Sequence, residues 1–333
     1  MVVVDSRNYH LDNVKFFLIF LVILGHALPR LGTTDIGNAI GVSFYFFHMP
    51  LMVMISGYFS KKTESKKFWR SFFRLLESFV IFDVLLTLRW ALSGDFQLSI
   101  ISIITPRWTL WYLVSLMFWR AIIQFFPTLH CQHKVVIGIA ITIGVLSGFV
   151  PVGEPFSFQR TCSYFPYFLV GYYLRKSNTY LSVIKFVPKP VATLFLLSLP
   201  VITYFVDFPL GSLLEGKSPY YDFDYSLWAM SIFRMGMYLV CIFASFCVLG
   251  LVSKKEIPWV TKQGKDTLLY YLYHTTIIYG FIFVSNHLFH LPGSTIDVFG
   301  YTLIVIMVIW ILIQVPFFRH FPNIVSYLSE KKS

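Results

Sequence analysis

Apolar residues in this chain run in long blocks, separated by short stretches where lysine, arginine, proline and glycine collect. A helix needs about 20 residues to cross the hydrocarbon core of a bilayer. On that template the blocks predict ten helices, at 12–30, 39–60, 70–92, 108–127, 134–150, 162–176, 188–206, 227–251, 265–288 and 296–318, the fifth and sixth being short. Pro151, Pro166, Pro188, Pro200 and Pro316 mark ends or kinks, where neighbouring helices can satisfy the freed carbonyls. A membrane barrel would show ten-residue strands alternating apolar and polar positions, and these runs are too continuous for that. The pattern therefore predicts an all-α fold, a polytopic membrane bundle of about ten transmembrane helices. The 333 residues read as one integral-membrane domain without a soluble domain, a repeat or a low-complexity tract.

Composition sharpens the class. Hydrophobic residues make up 56% of the chain and charged residues 13%, with a mean hydropathy of +0.68, where a soluble domain would carry about 25% charged residues. The net charge of +11 does not point to nucleic acid, because the basic residues sit in short loops between apolar runs, as topology rules require. With the N-terminus inside, only Arg30, Arg89, Arg107, Arg160, Lys217 and Arg234 of the 27 basic residues fall on the outer side. The loop at 207–226 reads acidic, with Asp207, Glu215, Asp222 and Asp224. This asymmetry places both termini in the cytoplasm and supports ten crossings. The first apolar run continues as Pro29-Arg30-Leu31-Gly32 without a small-residue cleavage site, so it reads as a retained span of a multi-pass plasma-membrane protein. Cys131, Cys162, Cys241 and Cys247 have no metal-type or CxxC spacing, and Cys241 and Cys247, within one apolar run, read as small buried side chains. No metal is expected.

Candidate chemistry comes from polar groups inside the spans. In "LDNVKFFLIFLVILGHALPR" Lys15 and His26 are 11 residues apart, close to three helical turns, so they share one face about 16 Å apart along the axis. Asp12 lies on that face and can pair with Lys15. Lys15 would lie near the cytoplasmic mouth and His26 near the external one. "FYFFHMPLMVMISGYF" puts His48 at a comparable depth in the second span. "GKDTLLYYLYHTTIIYG" puts His274 near mid-membrane, where Tyr270 and Tyr271 can hydrogen-bond it. Ionisable groups in a membrane are functional candidates by default. Arg160, Trp108 and Trp111 lie at the outer ends of spans, where such residues also serve as interfacial anchors. Asp83, Arg89 and Arg234 are buried-charge candidates with unassigned partners.

These pieces resemble integral-membrane acyltransferase family 3, which includes cell-surface sugar O-acetyltransferases. The matching segments are "LDNVKFFLIFLVILGH", "FHMPLMVMISGYF", "WTLWYLVSLMFWR", "RTCSYFPYFLVGYYLR" and "GKDTLLYYLYH", in the family's order and spread over nearly the whole chain. Among branches the chain looks most like the fucose 4-O-acetylase-like one. The family carries a basic residue, ten intervening positions and a histidine on its first helix, which fall here on Lys15 and His26. Arginine is usual at the first of these. Lysine keeps the charge but loses the bidentate fork, which weakens the carry-over of donor binding to Lys15. The resemblance implies that His26 is essential for acyl transfer and that Arg160 matches a motif arginine.

The resemblance also implies the reaction: acetyl from cytoplasmic acetyl-CoA, a substrate rather than a tightly bound cofactor, moves to a hydroxyl of an extracytoplasmic glycan or lipid-linked sugar. The nucleotide is too polar for hydrocarbon, so it would dock at the basic inner face, with Lys15, Arg70 and Arg74 as counter-charges. The pantetheine arm would thread between helices toward His26. A histidine titrates ordinarily at about 6.5, suited to a general base on a sugar hydroxyl; accepting the acetyl itself is the other route. His48 is the second catalytic candidate, and Arg160, Trp108 and His274 are candidates for acceptor positioning or oxyanion stabilisation. The rival reading is a secondary transporter or flippase, which also needs many spans and a polar path. Such proteins often show paired Gly/Pro-interrupted halves, and none is evident here.

Overall fold

The computed structural model describes residues 8–31, 34–92, 104–126, 132–152, 155–206, 208–287 and 294–327. Their regular structure is entirely helical. In chain order the helices are α1 (Tyr9–Leu31), α2 (Asp35–Phe44), α3 (His48–Phe59), α4 (Ser65–Leu92), α5 (Trp111–Phe125), α6 (His133–Leu146) and α7 (Phe158–Lys176). They continue as α8 (Tyr180–Phe186), α9 (Lys189–Phe205), α10 (Leu210–Glu215), α11 (Leu227–Leu251), α12 (Pro258–Gln263), α13 (Thr267–His287), α14 (Thr295–Leu312) and α15 (Pro316–His320). A helix thus stands on each of the ten segments that the apolar pattern marks.

Among the described residues four stretches are long and apolar enough to cross a membrane: Tyr9–Leu28, Asp35–Phe59, Leu227–Leu251 and Thr267–Val284. The count rises to six if each of two bent pairs is one span, α8 with α9 (74°) and Ile296–Leu312 with Pro316–Tyr327 (97°). Proline explains both bends. Pro188 precedes α9 and Pro316 opens α15, and the residue before a proline is pushed out of the helical region.

The surface of the long helices supports a hydrocarbon surround. On α11 one stripe is buried, Met230, Arg234, Tyr238, Cys241, Ser245 and Val248, at spacings of three and four. Its other faces leave Trp228 (77% exposed), Ile232 and Leu239 (70% each) uncovered. Exposed apolar side chains in such continuity mark contact with lipid or a partner rather than water.

The described residues gather into two compact units, each woven from three stretches of chain. The first comprises Met1–Ile55, Asn178–Phe208 and Val240–Trp310. Here α1 packs against α2, α12 and α13, and α9 packs against α2, where the Thr203 hydroxyl donates to the Ala39 carbonyl (2.7 Å). Phe195 meets Phe243 edge-on beside a small core of Val187, Ala192 and Cys247.

The second unit comprises Ser56–Ser177, Pro209–Leu239 and Ile311–Ser333. α7 is its hub, packed against α5 and α6. Trp119 donates to the Thr161 carbonyl (2.9 Å), and the Ser115 and Thr161 hydroxyls pair (2.7 Å). Gly57 allows the end of α3 to lie directly on α7, since a Cβ there would overlap the Phe168 carbonyl. The Glu77 carboxylate of α4 accepts from the backbone N–H groups of Val325 and Ser326, tying down the C-terminal turn.

Candidate active site

α1 runs unbroken from Tyr9 to Leu31, so Lys15 and His26 do share one rigid helix about 16 Å apart along its axis. His26 is half-buried, and its ring stacks on that of His274 from α13, with centroids 5.5 Å apart and planes 27° from parallel. His274 is fully buried, and its Nδ1 lies 2.6 Å from the Tyr271 carbonyl oxygen. A carbonyl only accepts, so in the neutral ring the hydrogen-bond network puts the proton on Nδ1 and leaves Nε2 as the acceptor. The Thr275 hydroxyl faces that nitrogen at 3.5 Å. Tyr271 contributes through its backbone and a ring contact at 5.9 Å. The expected bond from Tyr270 is not made: its hydroxyl donates instead to Gln263 Oε1 (3.0 Å), on the side of α13 that faces α12.

His48 is held in the same way. Its Nδ1 faces the Phe44 carbonyl, and its ring meets Tyr45 edge-on at 4.9 Å. α2 ends at Phe44 and α3 begins at His48, so the imidazole spans the break between the two helices. Gly25, beside His26, faces the Phe44 ring. The first unit therefore brings His26 and His274 into ring contact, and anchors His48 to the carbonyl of a residue that α1 packs against.

At the other end of α1, Lys15 pairs with Asp12 (2.9 Å). Beside them Asn13, 1% exposed, donates to the carbonyls of Ser253 and Lys255 (2.9 Å each) and accepts from the Thr261 hydroxyl (2.6 Å). Gly264 lies so close that a Cβ would overlap the Asp12 carbonyl. The His10 ring takes a hydrogen bond with the Tyr180 hydroxyl (2.7 Å). The segment so clamped carries Lys254 and Lys255, both exposed. Neither those lysines nor Asn13 stand out in the sequence, because a contact more than 200 residues away in the chain leaves no local pattern.

The remaining candidates stand in the second unit. Arg70 is exposed and Arg74 half-buried on α4, a different unit from Lys15. Trp108 has φ 38, a strained value for a bulky residue. It follows Arg107, whose backbone N–H donates to Asp83 (3.1 Å), whose Nε donates to Thr87 (3.1 Å), and whose guanidinium lies over Trp90. Arg160 opens α7 with its guanidinium 5.2 Å above the Trp111 ring and 4.0 Å from Glu215, which in turn pairs with Lys217 (2.8 Å). Trp111 is buried and tilted against Tyr164; an interfacial belt residue would be more open.

The family model of an acyltransferase domain matches residues 8–314, nearly the whole chain and both units. The chain belongs to acyltransferase family 3. No curated protein and no solved structure matches it. Among the described residues of this acyltransferase, the stacked imidazoles of α1 and α13 bring two titratable rings into contact: one is fully enclosed with Nδ1 on a backbone carbonyl, the other is partly open. Among the described residues no three His, Cys, Asp or Glu side chains gather in a way that could hold a metal ion.

Proposed function

We propose that this family 3 acyltransferase moves acetyl from acetyl-CoA on the cytoplasmic side to a hydroxyl of an extracytoplasmic glycan or lipid-linked sugar. The observation that carries the reading is the His26–His274 stack on the same unbroken helix as Lys15. His26 takes the proton from the acceptor hydroxyl as its oxygen attacks the thioester carbonyl carbon. The C–S bond then breaks, and the imidazolium returns the proton to the departing thiolate. His274, with its protonation pattern set by Tyr271 and Thr275, orients the His26 ring.

For the donor, Lys15 must exchange Asp12 for a phosphate, and the exposed Lys254 and Lys255 add charge beside that end of α1. Arg160 and Trp108 remain candidates for acceptor binding, and His48 for a supporting role at the α2–α3 break. The ten crossings, the cytoplasmic termini and a plasma-membrane location belong to this same reading. Purified protein with acetyl-CoA and an oligosaccharide acceptor should release CoA thiol and yield an acetylated sugar. His26→Ala, folded, should lower the rate by about 100- to 10,000-fold. Movement of a sugar lipid across vesicles without thiol release would favour a flippase, and an unimpaired His26→Ala enzyme would exclude His26 as base or carrier.

A further inference from the structure

The connection into α4 and its first turns carry six cations, Lys61, Lys62, Lys66, Lys67, Arg70 and Arg74, against one carboxylate, Glu64. All but Arg74 of these cations are exposed. Topology rules account for a basic excess in such a connection, but they do not account for aromatic rings standing open among the charges. Trp69 and Phe73 are 43% and 55% exposed, with ring centroids 5.9 Å apart. Phe125, at the end of α5, is also exposed and lies 6.1 Å from Trp69. A continuous aromatic surface of this kind marks an interaction face.

The face is firmly built within the second unit. The Thr63 N–H donates to Gln124 Oε1 (3.1 Å), and Gln124 Nε2 donates to the Thr63 carbonyl (2.9 Å), a two-point lock of the loop onto the end of α5. Phe68 is 3% exposed and meets Phe125 edge-on at 5.4 Å. With Phe68 turned inward, the helical period carries Lys66, Trp69, Arg70 and Phe73 to the outer face. That outer stripe continues through half-buried Glu77, whose carboxylate is engaged by the C-terminal turn, to the exposed Val80, Val84 and Leu88. One face of one helix thus changes from basic and aromatic to aliphatic.

The change has the dimensions of a membrane boundary. With 28 residues α4 is about 42 Å long, about 12 Å more than the hydrocarbon core of a bilayer. Its first ten residues hold Lys66, Lys67, Arg70 and Arg74, whereas its last ten hold one cation, Arg89. The overshoot therefore falls at the N-terminal end. Lys66, Lys67 and Arg70 then stand at the level of lipid headgroups, and Trp69 and Phe73 at the depth where aromatic rings anchor.

We propose that this face binds anionic phospholipid, its cations pairing with headgroup phosphates while Trp69 and Phe73 enter the acyl boundary. A free nucleotide would use the cations but leaves the aliphatic continuation of the stripe without a purpose; a lipid uses both. The face stands whether or not the chain transfers acetyl groups.

Thermal unfolding of the full chain in neutral detergent, with dioctanoylphosphatidylglycerol, dioctanoylphosphatidylcholine or coenzyme A added, tests it. The glycerol lipid should raise the midpoint and the choline lipid should not. Lys66→Gln/Lys67→Gln/Arg70→Gln should need at least about tenfold more of the anionic lipid for the same shift. Lys176→Gln/Lys185→Gln/Lys189→Gln, which removes as many exposed charges elsewhere, should keep the wild-type response. His26→Ala should keep it too, so that failure of the acyl-transfer reading and failure of this one are told apart. Brominated phosphatidylglycerol should quench wild-type tryptophan fluorescence more than brominated phosphatidylcholine does, with the excess lost in Trp69→Phe; this arm holds even where the triple variant does not fold. The proposal is overturned if both lipids protect equally, if the first triple variant keeps the response, or if the second loses as much. It is equally overturned if the quenching excess survives in Trp69→Phe, or if coenzyme A protects in place of the lipid and the first triple variant loses that protection, since the face then belongs to the acyl donor.

Discussion

At the scale of single residues, the groups that matter are buried side chains with more than one obligation. Asn13 is the clearest case. It meets three partners at once, the carbonyls of Ser253 and Lys255 and the hydroxyl of Thr261. Asn13→Ala leaves those groups without their partner, at about 1–3 kcal/mol for each one that stays dry. The expected outcome is a lower unfolding midpoint together with a raised KM for acetyl-CoA, because Lys254 and Lys255 lose their anchor beside Lys15. Wild-type values for both would show that the clamp serves neither stability nor donor binding. His26 and Lys15 were legible in the sequence because an eleven-residue spacing on a helix fixes a shared face. The partners of His274 were legible only in part. Spacing names the residues one turn away, but it does not say that Tyr270 will turn to Gln263 while Tyr271 gives its carbonyl.

At the scale of elements, glycine decides how closely helices approach. A Cβ on Gly57 would overlap the Phe168 carbonyl of α7, and one on Gly264 would overlap the Asp12 carbonyl of α1. Backbone cannot swing aside as a side chain does, so Gly57→Ala and Gly264→Ala should each destabilise by about 3 kcal/mol, the upper range for overpacking. At Gly236 on α11 and Gly280 on α13 an added methyl group would meet no described atom within 4 Å. Alanine there should stay within about 1 kcal/mol of neutral, helped by better helix propensity. Comparing the four melting midpoints in one detergent checks the ordering, and a Gly57→Ala protein as stable as Gly236→Ala would refute it. The sequence predicted where helices lie because hydrophobic runs and prolines are local signals. It did not show the break between α2 and α3 at 45–47, since the apolar pattern continues straight through "FYFFHMP". Nor did it hint at which glycines touch backbone, because that depends on partners distant in the chain.

At the scale of the whole molecule, the open quantity is how many times the chain crosses the bilayer. Among the described residues length and apolarity alone give four to six candidate crossings, because segments such as α4 and α7 carry too many charges or too few apolar residues to qualify by themselves. Charge distribution argues for more. Lysines and arginines collect in alternate loops, and that alternation survives only if α4 through α9 also supply spans. The two readings part at the connections. With ten crossings and the N-terminus inside, the acidic loop around Asp224 faces outward and the basic segment around Glu256 faces the cytoplasm. Both residues are exposed, so a cysteine at either is open to a membrane-impermeant maleimide. In a chain with Cys131 and Cys162 replaced, Asp224→Cys should label on intact cells, whereas Glu256→Cys should label only after permeabilisation. α11 lies between these sites and is one of the four helices that qualify as a span by length and apolarity alone, so opposite labelling is expected there on either count. The count is decided by repeating the measurement at Lys134, Phe156 and Lys176, of which ten crossings put only Phe156 outside. Labelling of Phe156→Cys only after permeabilisation, like its two neighbours, would remove α6 and α7 from the set of spans, whereas labelling of Lys134→Cys and Lys176→Cys on intact cells would contradict the inward orientation on which the proposed delivery of acetyl-CoA to Lys15 rests.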